Sequence, residues 1–206
     1  MKTEYLVAEM APKGIYPMLT ATVVPRPIAW VTSVSAEGVL NLAPHSFFTV
    51  ASARPPMIQF TSVGEKDTLR NIRATGEFTV SMVTEPLTEA ANVTSVDAPH
   101  GVDEYAVAGL TPEPSRLVAP PRVAESPVAL ECRLHAEIAM GDYFLVIGEV
   151  LAWAIDDAVL DAGPRLHPLI QRMRPMSRLG RKEWGTLGEV RELDRPVWSE
   201  FGADRG

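Results

Sequence analysis

Cysteine is almost absent. The 206 residues hold one, Cys132, so there is no internal disulfide framework. The four histidines, His45, His100, His135 and His167, are scattered. Without a His-x-x-x-His or Cys-x-x-Cys spacing there is no metal signature, and no metal is expected. Positive charge is in deficit: 19 Lys and Arg stand against 26 Asp and Glu, for a net charge of −7. That argues against general affinity for nucleic acid or an anionic membrane, since both need a basic face. Long apolar runs are missing as well. The longest candidate, Tyr143 to Ile155, contains Gly148 and Glu149 and is too short to cross a bilayer. The first residues, MKTEYLVAEMAP, carry acids and lack the apolar centre of a signal peptide, so a cytoplasmic location is expected. There is no dinucleotide fingerprint, and Val63-Gly64-Glu65-Lys66 has only one glycine. Any nicotinamide must therefore bind without a Rossmann fold.

What is present is globular. Apolar residues make up 46% and mean hydropathy is near zero, enough for one domain with a substantial core. No internal repeat or low-complexity segment interrupts it.

The informative stretch runs from Arg26 to Asn71. Pro25 and Pro27 hold Arg26 extended. Ile28 to Val34 is apolar and rich in β-branched residues, as a strand requires. Ser35-Ala36-Glu37-Gly38 is a turn, and Val39 to Ala43 returns as the partner strand until Pro44, which has no N–H to donate. A third strand is predicted over Met57 to Thr61. Asp67 is a good N-cap for a helix that ends near Gly76, with Leu69 and Ile72 on its apolar side. Polar residues cluster where these elements end: Thr32, Ser33, Asn41, Ser46, Thr61, Ser62, Lys66 and Thr68. Hydroxyls, backbone N–H groups, a lysine and a helix N-terminus suit a phosphate, and Phe47-Phe48 could flank a flat ring. The same residues also serve as ordinary turns and core aromatics of a β-barrel.

Elsewhere, Met1 to Pro12 reads as an arm, Lys13 to Leu19 has no firm assignment, and Thr20 to Val24 is expected to start the barrel. Glu77 to Val83 alternates as a half-buried strand with Phe78, Val80 and Met82 inward. Glu85-Pro86 opens a second helix to about Val93. Ser95 to Ser115 is a long Pro- and Gly-containing loop, and loops of this length are usually functional or mobile. Val128 to Ile138 places Val128, Leu130, Cys132, Leu134, Ala136 and Ile138 on one face, with Glu131, Arg133, His135 and Glu137 opposite. Gly141-Asp142 turns the chain into a denser strand, Tyr143 to Ala154, giving an antiparallel hairpin. Arg165, Arg172, Arg174, Arg178, Arg181 and Lys182 form a basic stretch with two readings: a solvated segment or subunit contact, or a phosphate site.

The series Arg26-Pro27-Ile28-Ala29-Trp30-Val31, Asn41-Leu42-Ala43-Pro44-His45-Ser46-Phe47, Pro55-Pro56, Lys66-Asp67-Thr68 with Asn71-Ile72, and Gly76-Glu77-Phe78 resembles the flavin reductase-like family. Met176 to Arg181 with Trp184 resembles that family's end. The likeness spans about Thr20 to Leu193. It implies a mainly β, antiparallel, Greek-key FMN-binding split barrel over 20–193, after an arm at 1–19 and before a tail at 194–206. It also implies an NAD(P)H:flavin oxidoreductase passing hydride from NADH or NADPH to FMN, either alone or as the reductase of a two-component monooxygenase, and a homodimer that covers Phe47, Trp30 or Trp184. A flavin-binding electron carrier without turnover is the alternative, and a barrel that has lost its ligand is a third.

By resemblance, Asn41, Ala43 and Ser46 contact the ring edge, with Phe47 beside it. Thr61, Ser62, Lys66 and Thr68 take the ribityl-phosphate side, and Thr32 is a further contact. Arg26 and Trp30 are either ligand contacts or interface residues. His100 is a nicotinamide or substrate contact, or else an exposed loop histidine. Hydride transfer to a flavin needs no acid–base residue, in keeping with the absence of any triad or carboxylate pair.

Overall fold

The computed structural model describes residues 1–161, 163 and 166–198. Its framework is seven strands: β1 (Ala29–Val34), β2 (Leu40–His45), β3 (Phe48–Ala53), β4 (Pro56–Val63), β5 (Glu77–Met82), β6 (Val128–Met140) and β7 (Tyr143–Ile155). They pair in the order β2-β1-β5-β6-β7-β4-β3, every pair antiparallel. The expected mainly β antiparallel barrel is therefore what the chain forms. The two edges, β2 and β3, are consecutive in sequence and joined only by Ser46 and Phe47, so the chain itself bridges the split between them. The Thr61 N–H donates to the Phe47 carbonyl at 2.9 Å, which carries the β3–β4 pairing on into that bridge.

Among the described residues five α-helices accompany the sheet: α1 (Pro12–Thr22), α2 (Asp67–Thr75), α3 (Thr88–Val93), α4 (Glu104–Ala108) and the single turn α5 (Ile170–Met173). Ala29, Val31, Phe60, Phe78, Val80, Cys132 and Val146 fill the barrel, and α2 closes it with Leu69 and Ile72. A second cluster, with Ile28, Trp30, Leu42, Tyr105 and Val123, lies on the outer face, where α3 and α4 contribute Ala91 and Tyr105. β1 is thus covered on both sides, which is why it reads as a continuous apolar run. Gly148 allows a close approach: a Cβ there would collide with the Phe78 ring in the barrel centre.

Several expectations are corrected. Thr20 to Thr22 end a helix rather than begin a strand, and α1 crosses the expected arm boundary; buried Thr20 donates its hydroxyl to the Tyr16 carbonyl. β2 continues through Pro44 to His45, paired with Trp30 and Ala29. It is an edge strand, where a missing N–H costs no ladder bond. The segment after it, which had no assignment, is β3. β5 is buried on both faces, because Thr79 donates to the Pro121 carbonyl and Ser81 accepts from the Val123 N–H. Glu131, placed by alternation on the polar side, is 1% exposed and accepts the N–H groups of Arg116 and Leu117. The long loop contains α4. Arg165 and residues 199–206 of the expected tail lie outside the described residues. No helix among the described residues is long and apolar enough to cross a membrane.

Candidate functional site

α2 begins where β4 delivers the chain to the split. Lys66 occupies the position before the helix in an extended conformation and makes no side-chain cap. The expected cap, Asp67, is instead the first helical residue. Its carboxylate accepts from Arg70, from His100 Nδ1 at 2.8 Å and from the Gly101 N–H. Burial opposes ionisation of Asp67, but these hydrogen bonds together hold its carboxyl below the usual value. The first helical bond runs from the Arg70 N–H to the Lys66 carbonyl, so the N–H groups of Asp67, Thr68 and Leu69 have no helical acceptor. Gly76 closes the helix at φ 73°, a left-handed position that glycine takes without penalty.

A cleft of about 350 Å³ opens at this point. One wall is the end of β2 and the bridge after it: Asn41, Ala43, Pro44, His45, Ser46 and Phe47. The second is the end of β4 with the start of α2: Thr61, Ser62, Glu65, Lys66 and Thr68. Loop residues Thr94 to Ala98 and His100 cover a third side, and Val63, Asp67, Arg70, Glu104 and Tyr16 also line the space. The loop is tied down at two points, Lys66 Nζ to Asp97 at 3.1 Å and the Asp67–His100 contact. A smaller cavity of about 240 Å³ lies beyond Asn41, Asp67 and His100, which line both spaces.

Behind the cleft is a buried polar cluster. Asn41 Nδ2 donates to Ser33 Oγ at 3.2 Å and to Thr68 Oγ1 at 3.0 Å, and Asn71 Nδ2 donates to the same Ser33 oxygen at 3.1 Å. It ties β1, β2 and α2 together, so the free N–H groups of α2 are held at a fixed place relative to β2. Glu104 is 7% exposed and accepts from the Leu42 N–H. Burial pushes its carboxyl pKa up, against the pull of that hydrogen bond.

The residues predicted from sequence are largely gathered here. Asn41, Ala43, Ser46, Phe47, Thr61, Ser62, Lys66, Thr68 and His100 all line the cleft. Thr32 does not: it is buried in the sheet with its hydroxyl 2.7 Å from that of Tyr105. Ser62 is also buried, and its hydroxyl is spent on the Gly64 carbonyl. Of the aromatic pair, only Phe47 lines the cleft, stacked on Tyr16 with centroids 6.2 Å apart; Phe48 packs on the barrel core. Trp30 is neither ligand contact nor interface, because it is fully buried with Nε1 donating to Thr94 Oγ1 at 2.8 Å. Arg26 binds carbonyls of Thr20, Val23 and Leu179 and is 8% exposed. The long loop read from sequence as functional does reach the cleft, through Ser95 to Ala98, His100 and Glu104, although of these only His100 was named as a contact; Tyr16 was missed, and only the tertiary fold brings it there. The free N–H groups ahead of Arg70 were legible as a helix start.

Comparison with known proteins gives the context. A family profile described as a flavin reductase like domain matches residues 21–175. Among solved structures, nitrilotriacetate monooxygenase component B from Bacillus cereus is 35% identical, covering 94% of this chain and 99% of its own, with a TM-score of 0.88. The 2-nitrobenzoate 2-nitroreductase NbaA of Pseudomonas fluorescens is 29% identical, covering 95% of this chain and 98% of its own, also with a TM-score of 0.88. An uncharacterized protein of Deinococcus radiodurans is 43% identical over 97% of this chain and 92% of its own length.

Proposed function

The chain belongs to the flavin reductase-like family, and from that premise we propose that it is an NAD(P)H-dependent FMN reductase whose FMN lies in the cleft of the split barrel. The observation that carries this reading is the meeting of three things in one space: the open first turn of α2, the Lys66 ammonium, and a cleft with an aromatic side at Phe47. The donor set fits the proposed group. The N–H groups of Asp67 and Thr68 and the charge of Lys66 would hold a phosphate. Thr61 and Ser46 would serve the ribityl chain and ring edge, and Phe47 would bound the ring plane. Asn41 acts from behind, by fixing Thr68. When bound, the isoalloxazine supplies the redox chemistry, accepting hydride from NADH or NADPH. The protein's own part is to bind, orient and shield that ring, which is why no proton-transferring residue is assigned. His100, 70% exposed on the covering loop, would meet an incoming nicotinamide.

The component B relative supports a further part of the reading, that reduced flavin passes to a separate monooxygenase. Homodimerisation and a cytoplasmic location belong to the same proposal. The exposed edge strand β3, with Val50 71% exposed, and the exposed Leu19 and Val23 of α1 and its end would be covered by a second copy.

The test is an absorbance spectrum of purified protein supplied with FMN, repeated anaerobically after NADH and then NADPH. Flavin bands that bleach within seconds are the expected result, and the faster nicotinamide is the donor. Bands that neither nicotinamide bleaches would leave an FMN carrier without reductase turnover. A protein that retains no FMN would overturn the reading.

A further inference from the structure

We propose that His45 is a ligand-binding residue: its Nε2 accepts a hydrogen bond from a donor of the flavin, either the ring imide N–H or a ribityl hydroxyl. The inference rests on the FMN reading above and concerns a residue to which that reading gave no role.

His45 is the last residue of β2 and lines the cleft. Its ring packs on Phe60 with centroids 4.8 Å apart. Nε2 is buried and meets no partner among the described residues. With Nε2 unpartnered, the interaction of the ring with the Thr61 backbone falls to Nδ1, and a hydrogen placed there leaves a lone pair on Nε2. Burial, with the nearby Lys66 charge, opposes protonation and brings the pKa down to about 4, so the ring is a neutral acceptor at physiological pH. A buried acceptor with no partner is uncommon and calls for one from outside the protein. Arg26 Nε and Arg122 Nε are also buried without partners, but both are donors and neither lines the cleft. His45 alone among these atoms combines an unmet lone pair with a place at the cleft. The first turn of α2 and Lys66 offer donors, which suit a phosphate. His45 supplies the opposite polarity, which suits the N–H and O–H groups of the rest of the molecule.

The decisive experiment uses wild-type protein with ring-¹⁵N-labelled histidine, of which there are four. Titration with FMN is expected to move the His45 Nε2 resonance upfield, as acceptance of a hydrogen bond does. In parallel, His45→Phe is expected to weaken FMN binding about tenfold, the loss of one buried hydrogen bond. His45→Gln, which puts an oxygen close to the Nε2 position, should recover most of it. N3-methyl-FMN lacks the imide donor and lumiflavin lacks the ribityl hydroxyls. The analogue that wild type and His45→Phe bind equally well has lost the group that His45 meets. An unmoved Nε2 resonance at saturating FMN, or His45→Phe binding as tightly as wild type, overturns the inference and leaves the FMN reading standing. Wild type that binds no FMN overturns that reading and the inference with it. If His45→Phe does not fold, the labelled wild type decides alone.

Discussion

Two regions of this molecule were candidates for a phosphate from their sequence, and they differ in what is left over after folding. In the basic stretch, Arg172 donates to the Ala158 and Leu160 carbonyls, Arg174 pairs with Glu85, and Arg178 donates to the Arg181 and Glu183 carbonyls while lying 4.8 Å over Trp184. Those guanidinium groups are consumed in holding the C-terminal segment, which supports the reading of that stretch as structural. At the start of α2 the charge is lower, Lys66 and Arg70 beside Asp67, with Arg70 taken up by Asp67 and the Glu65 carbonyl, yet the helix leaves its first N–H groups without acceptors and a cleft lies in front of them. A binding site is made by donors that folding leaves unmet around a void. Charge density along the chain does not report it.

The comparison breaks most visibly at Arg26. It joins the end of α1 to the Leu179 carbonyl at 2.7 Å and to the Val23 carbonyl at 2.8 Å, so it belongs to the structural side of the contrast although it lies near the family's motif. Arg26→Met leaves three carbonyls unpaired and is expected to cost about 3 kcal/mol in stability, since hydrogen bonds to charged groups are worth about 1.5–3 kcal/mol each and part of the loss is regained by desolvation. FMN affinity of the protein that remains folded should change less than about twofold, the shift of a site that has lost no contact. Denaturant unfolding and an FMN titration on the same preparation check both halves. A large loss of FMN affinity with little loss of stability would move Arg26 into the site.

His45 tests the other side through pH. Its pKa is lowered from 6.5 to about 4 in the folded chain, so between these values the unfolded state binds a proton that the native state refuses. Stability from this residue is present above pH 6.5 and is lost as pH falls toward 4, by about 3 kcal/mol if the whole shift is realised. Asp67, whose folded pKa is also lowered, adds acid sensitivity only below its unfolded value of 3.8, so the two windows separate. Unfolding followed at pH 7, 5.5 and 4.5 should show a slope in wild type that His45→Gln flattens. An equal slope in both proteins would mean that His45 titrates normally.

Much of this fold was legible in the sequence because one physical signal governed it. The inward positions Val128, Leu130, Cys132 and Leu134, the turn at Gly141-Asp142 and the β-branched run before Val34 each follow from a strand with a defined inner face, whereas Ile138, expected inward with them, is 49% exposed where the hairpin runs out past the barrel. The omissions have equally local causes. α1 carries Pro12, Gly14 and Pro17, which disguise a helix. β3 is an exposed edge strand with too few inward residues to show a period. Alternation sends Glu131 to the solvent side, and only the preceding loop, through the N–H groups of Arg116 and Leu117, covers it. In the site, Lys66 and Thr68 were legible because a helix start has its own signature. Tyr16 was not, since nothing in its own neighbourhood marks it, and Glu104 and Ser95 to Ala98 were legible only as parts of a long loop, not as individual contacts. Thr32 was misplaced for the converse reason: a polar residue in a strand looked available, yet the hydroxyl of Tyr105, from a helix hidden in a long loop, had already claimed it.

The smallest effects give the sharpest form of the comparison, because they set one cation from each region against the other. Lys66→Ala removes a side chain that is 62% exposed and held only by Asp97, so its cost in stability should be within about 0.5 kcal/mol. FMN binding should nevertheless weaken about tenfold, the worth of one charge-assisted contact to phosphate. Riboflavin, which has no phosphate, should bind wild type and variant alike. Arg174→Ala removes an exposed pair with Glu85, the two side chains 56% and 44% exposed, so it too should cost no more than about 0.5 kcal/mol. It should leave FMN and riboflavin affinities unchanged within about twofold. Parallel fluorescence titrations of the two variants with the two flavins decide the matter. The expected result is a loss confined to one protein and one ligand, Lys66→Ala with FMN. If Arg174→Ala shows that loss instead, the phosphate belongs to the basic stretch, and the unmet N–H groups of α2 answer to something else.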